Sequence, residues 1–118
     1  MRQSIVADLF HEHIRLHAGE EDLGGLSGLA LCRELPETYR LACVSGLSDG
    51  FLKYGEPARE WERGLAFCSN AALRDDERET CFGQVLPRLR NLYSLEKSRE
   101  ICATFPREIK ESYCRAYE

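Results

Sequence analysis

The sequence predicts an all-α protein: about seven helices in antiparallel hairpins, forming a short α-solenoid or a compact bundle stapled by disulfides. Three observations carry this expectation. Apolar residues recur at three- and four-residue spacing through most of the chain. Prolines and polar breaks cut that pattern into helix-length pieces. Six cysteines fall in three pairs, each centred on one of those breaks.

The elements follow in order. "RQSIVADLFHEHIRLHAG" is helical by period, with Ile5, Val6, Leu9, Phe10 and Leu16 as its apolar set and Gly19 as its stop. "GEEDLGGLSG" reads as a loop. "LSGLALCREL" is a short helix ending before Pro36. "ETYRLACVSGLSDGFLKYG" is the next helix, with a stripe of Leu41, Val44, Leu47, Phe51 and Tyr54 and a stop at Gly55. Pro57 suits a first helical turn and opens "PAREWERGLAFCSNAA", where Ala58, Trp61, Leu65 and Cys68 share a face. "RDD" breaks the chain with capping chemistry. "ERETCFGQVLPRLRNLY" turns Phe82, Val85, Leu86, Leu89 and Tyr93 inward. Pro87 should kink it, since proline cannot donate to the Gly83 carbonyl. "LEKSREICATF" and "PREIKESYCRAY" form a final, shorter pair. One domain is expected over 1–118, with a leading helix at 1–18 and hairpins at 23–55, 57–93 and 95–118.

The cysteines explain how such short helices could hold. Cys32 and Cys43 flank "LPE", Cys68 and Cys81 flank "RDD", and Cys102 and Cys114 flank "FPRE". The first members are 36 and 34 residues apart and the second members 38 and 33. That period is close to the ~34 residues of a two-helix repeat. If each pair straddles the turn of a hairpin, its sulfurs lie at similar heights on adjacent helices and can bridge. The expected pairing is Cys32–Cys43, Cys68–Cys81 and Cys102–Cys114, one of fifteen connectivities open to six cysteines. A zinc site would need compact ligand pairs, and neither CxxC nor CxxxC occurs. Disulfides place the protein in an extracytoplasmic compartment, periplasmic or secreted.

The hairpin arrangement over residues 23–118, with the junction-like stretch "YGEPAREWERGLAFC", resembles tetratricopeptide and Sel1-type repeats in architecture. The full repeat consensus is missing, so the resemblance implies a scaffold for polypeptide partners and assigns no residue a role. The paired-cysteine helical hairpins of the mitochondrial intermembrane space are a weaker parallel. Their paired cysteines share one helix, whereas prolines interrupt two of the intervals here.

Composition narrows the function classes. The 118 residues are 43% hydrophobic and 31% charged, as in globular domains. A net charge of −4 gives no general attraction to nucleic acid or anionic lipid. No run approaches the ~20 apolar residues that span a bilayer. "MRQSIVADLFHEHIRLH" carries charges where a signal peptide has its apolar segment.

The expected function is a non-catalytic module that binds a protein or peptide, with no cofactor; its partner is a separate polypeptide or the remainder of a larger chain. Trp61, Tyr54, Tyr93 and Arg90 are candidates for partner contact, because aromatic and arginine residues dominate binding surfaces. The alternative is a metal-binding protein using His11, His13 and His17. His13 and His17 are four apart and share a helical face, with Glu12, Glu20 and Glu21 nearby. Gly46 and Gly50, also four apart, read as a flat face against which another helix packs closely. Most of Asp49, Glu60, Asp75, Asp76 and Glu77 sit amid arginines and read as solvated faces or helix first turns. "GGLSG" at 24–28 lacks the strand and the Lys-Ser or Lys-Thr of a phosphate loop.

Overall fold

A computed structural model describes residues 2–17, 24–54 and 59–117. Among these residues the chain forms seven α-helices and no strand. They are α1 (Gln3–Leu16), α2 (Gly25–Glu34), α3 (Glu37–Tyr54), α4 (Glu60–Cys68), α5 (Asp75–Val85), α6 (Leu95–Ala103) and α7 (Arg107–Tyr113). The stops expected at Gly19 and Gly55, the loop up to Leu23, and the start at Pro57 with Ala58 lie outside the described residues.

Local chemistry sets the other boundaries. Pro36 follows α2 and keeps Leu35 extended (φ −77°, ψ 158°), so α3 starts afresh at Glu37. The Glu77 carboxylate accepts a hydrogen bond from the Arg74 backbone N–H at 2.8 Å, closing the first turn of α5. The Ser94 hydroxyl caps α6 by accepting from the Lys97 N–H at 3.1 Å. At Pro87 the helix tightens. The α-helix ends at Val85 and the chain continues as a 3-10 helix, Leu86–Asn91, which keeps Leu86 and Leu89 fully buried.

α3 is the central element, in contact with α1, α2, α4 and α5. It supplies Cys43, Val44, Leu47 and Phe51 to the core. Phe51 meets Phe67 of α4 with ring centroids 5.1 Å apart. The last hairpin joins through Phe82, whose ring lies 5.5 Å from Phe105 and 6.3 Å from Tyr113. The Tyr117 hydroxyl donates to the Leu86 carbonyl at 2.6 Å. The radius of gyration is 13.5 Å, the value expected of a compact domain of this length. Of the two architectures expected, the compact bundle is the one formed.

The three disulfides are Cys32–Cys43, Cys68–Cys81 and Cys102–Cys114, with Cα–Cα separations of 5.5, 5.3 and 6.3 Å. Each ties the helices on either side of its turn. They fit an oxidising environment.

α1 is not set apart from the hairpins: it forms the most extensive helix–helix contact, with α3. Gly46 and Gly50 make this possible. A Cβ on Gly46 would lie 2.1 Å from the Ala7 carbonyl oxygen, and one on Gly50 would lie 2.8 Å from the Ile14 side chain. Val6 and Ile14 are therefore the buried residues of α1. Ile5, Leu9 and Leu16 belong to the same apolar set by spacing. They are 48%, 58% and 70% exposed, on the side turned away from α3. The helix is apolar on two sides, and the glycine face selects which one is covered.

This contact gives a first expected result. Gly46→Ala should destabilise the protein by about 3 kcal/mol, because backbone meets backbone and α1 must shift. Gly64→Ala should be neutral or slightly stabilising. Its Cβ would meet only Phe51 and Val85 atoms at 3.4 Å or more, and alanine favours the helix. Urea unfolding of both variants checks the contrast.

Candidate functional site: a polar groove between α1, α3 and α5

Packing α1 on the glycine face of α3 leaves polar residues along the edge of the contact. Ser45, Asp49 and Lys53 stand four apart beside Gly46 and Gly50, so they line one edge of α3. Asp8, His11 and Glu12 border the same edge from α1, and Gln84 of α5 closes it. Together with Ala7, Gly46 and Tyr54 they enclose a groove of about 450 Å³.

The groove's hydrogen bonding is incomplete. Ser45 donates to the Gln84 side-chain oxygen at 3.1 Å. The Arg15 guanidinium bonds Glu12 and holds its carboxyl below the usual range. His11 Nε2 lies 3.5 Å from Asp49 Oδ2, yet makes no hydrogen bond among the described residues. The His11 side chain is only 15% exposed, and its ring centroid is 5.1 Å from that of Tyr54.

The three histidines do not converge. His11 and His13 point about 200° apart around α1. His11 enters the groove, whereas His13 Nε2 lies 3.2 Å from the Gly24 carbonyl oxygen and 3.3 Å from the Ser27 hydroxyl, at the start of α2. The His13 and His17 rings are 4.3 Å apart. No group of three or more His, Cys, Asp or Glu side chains is placed to hold a metal ion among the described residues. Glu20 and Glu21, expected near the histidines, lie outside those residues.

The aromatic candidates divide as well. Tyr54 belongs to the groove. Trp61, Tyr93 and Arg90 gather where α4 meets the 3-10 helix. The Tyr93 hydroxyl donates to Glu60 and accepts from the Trp61 backbone N–H at 3.2 Å. Burial, reinforced by the Glu60 carboxylate, raises the Tyr93 hydroxyl above the ordinary tyrosine range. Arg90 is exposed and donates to the Tyr93 carbonyl at 3.2 Å. The Lys97 ammonium sits 5.4 Å from the Trp61 ring centroid.

A second polar cluster corrects the reading of the acidic residues. Glu77 lies in the first turn of α5, one of the two places expected for it, but it is completely buried and not a solvated residue. Arg33 reaches it at 2.7 Å and Arg40 at 3.0 Å. Arg40, only 5% exposed, also pairs with Glu37 at 2.7 Å and Asp76 at 2.5 Å. Burial opposes ionisation of Glu77, but hydrogen bonds from Arg33, the Arg74 N–H and Arg40 outweigh it and hold the carboxyl below its ordinary range. The cluster ties α2 and α3 to α5.

Sequence reading missed the groove because His11 and Asp49 are distant in the chain. A signal was present: polar residues four apart beside each glycine of α3. For Glu77 the signal was its third position in α5, which places a carboxylate against the helix N-terminus.

Fold and disulfides together define a disulfide-stapled, all-α helical-hairpin protein. No protein-family model, curated protein or solved structure matches the chain.

Proposed function

We propose that the chain is a non-catalytic, polypeptide-binding module of an extracytoplasmic protein, built from stapled helical hairpins of the kind tetratricopeptide and Sel1-type repeats use. The observation that carries this reading is the exposed apolar ridge of Ile5, Leu9 and Leu16 on α1, opposite the side that packs on α3. An amphipathic segment laid along such a ridge is a recurring mode of peptide recognition. The ridge supports the reading better than the Trp61–Tyr93 cluster, whose polar groups are engaged with one another. The three disulfides support the compartment, because such bonds persist outside reducing cytosol.

Selection of binders from a displayed random-peptide library tests the proposal. Selected peptides should be amphipathic, with apolar residues at helical spacing. Leu9→Glu with Leu16→Glu should weaken them at least about tenfold while leaving the melting temperature unchanged, since both side chains are exposed. Peptides that bind the double variant as well as the parent would overturn the ridge as the docking surface.

A further inference from the structure

We propose that Cys102–Cys114 is a site of thiol–disulfide exchange with a small anionic thiol, and that opening it frees α7 while the other two bridges hold the rest of the bundle. The inference goes beyond the binding role and does not depend on the α1 ridge.

Access distinguishes this bridge. An incoming sulfur must reach one of the two bridged sulfurs before exchange can begin. Cys32, Cys43, Cys68 and Cys81 are each 0% exposed, whereas Cys102 is 4% and Cys114 3% exposed. These two line a cavity of about 200 Å³ together with Arg99, Ala103, Lys110 and Tyr117.

The hold on the bridge is local. α7 spans seven residues and contributes no buried side chain. Its Tyr113 ring meets Phe82, and Ile109 is only partly buried. A segment held this loosely opens before the fold as a whole does, and its opening widens the approach to both sulfurs. Cys32–Cys43 and Cys68–Cys81 instead join helices that each supply buried side chains to the core.

Charge selects the thiol. Arg99 stands three residues before Cys102, and Lys110 four before Cys114, so each cysteine has a cation about one turn away on its own helix. The Arg99 guanidinium donates to the Tyr117 carbonyl, which keeps it at the cavity. No carboxylate lines the cavity among the described residues. A thiol that carries carboxylates is drawn to such a site, and the cations favour its thiolate form.

The exchange needs two equivalents of thiol. The incoming thiolate bonds to one of the two sulfurs, the bond between Cys102 and Cys114 breaks, and its electron pair leaves on the other sulfur, which takes up a proton. A second thiolate attacks the mixed disulfide, releasing the remaining cysteine as a thiol and the reagent as its own disulfide. Two thiols are oxidised and one bridge is reduced. Release of α7 then uncovers Phe82, which is 3% exposed in the closed form.

The test incubates the oxidised full chain with reduced glutathione, traps free thiols by alkylation at intervals, and reads each pair by peptide mapping in a mass spectrometer. Cys102–Cys114 should open at least about tenfold faster than either other pair. Hydrogen exchange of the partly reduced protein should show protection lost in α7 and kept in α3, relative to the oxidised protein. Lys110→Gln should slow glutathione about threefold and leave cysteamine, whose thiolate form carries no net charge, unslowed. A variant that merely loosened the hairpin would speed both thiols. Equal opening of the three pairs, another pair opening first, α7 protection that survives reduction of its bridge, or a Lys110→Gln variant that treats the two thiols alike would each overturn the proposal.

Discussion

Reduced protein is expected to lose its cooperative helical fold at temperatures where the oxidised protein keeps it. The bridges join residues 11, 13 and 12 positions apart. A loop of that size restricts the unfolded chain by about 3 kcal/mol. Three such terms are comparable to the ~5–15 kcal/mol net stability of a whole domain. The six cysteines are 0–4% exposed, so reduction leaves thiols in packed positions and acts chiefly on the unfolded state. The pairs should differ. α7 contributes no buried side chain and is held by Cys102–Cys114 and its Tyr113 ring contact. Cys102→Ala with Cys114→Ala should therefore release the C-terminal end first, seen as local loss of amide protection before global unfolding. Circular dichroism melts with and without reductant check the main expectation. An unchanged melting temperature after complete reduction would remove the staples from the account of stability.

Glu77→Ala should cost about 3–5 kcal/mol, the largest expected effect of any single substitution. It leaves the buried Arg40 without its deepest counter-charge and Arg33 without its carboxylate. Glu77→Gln should also destabilise, because an amide oxygen at the Oε2 position still accepts from Arg33 and Arg40, but the amide NH2 then faces the Arg33 Nη2 and Arg74 N–H donors. The same cluster sets the acid limb of stability. Glu77 is held below its ordinary range by the Arg33, Arg74 and Arg40 hydrogen bonds, which exceed the opposing effect of burial. Hydrogen bonds from Arg40 lower Glu37 and Asp76 likewise. A carboxylate depressed in the folded state contributes fully above its unfolded pKa of ~4. The contribution is lost as pH falls through the folded value. Urea unfolding across this range should show stability falling with acid in the parent and a shallower fall in Glu77→Ala. Parallel pH profiles would exclude the cluster as the source.

The helices and their pairing were legible because each boundary has a local chemical cause. Pro36, "RDD" and Pro106 interrupt the helical period, and the cysteines lie symmetrically around those breaks. Pro87 was legible as a disturbance but not as a change of helix type, because the reward for continuing is the burial of Leu86 and Leu89. The covered face of α1 was not legible. Apolar spacing counts Ile5 and Leu9 as readily as Val6, and only the glycines of α3 distinguish them. The groove depends on the same long-range contact: His11 meets Asp49 only once α1 lies on α3. Glu77 appeared as one acid among many, because nothing local to it reports that Arg33 and Arg40 arrive from other helices.

The two seams between successive hairpins are made of different materials. α2 and α3 meet α4 and α5 through the Phe51–Phe67 ring contact and the Arg33–Glu77–Arg40 cluster, whereas α5 and the 3-10 helix meet the last hairpin through Phe82, Phe105, Tyr113 and Tyr117. Apolar contacts weaken on cooling, while charge pairing does not share that dependence. On cooling, the C-terminal seam, whose ion pairs among the described residues are local ones within α6 and α7, is therefore expected to lose more of its hold than the seam reinforced by the Arg33–Glu77–Arg40 cluster.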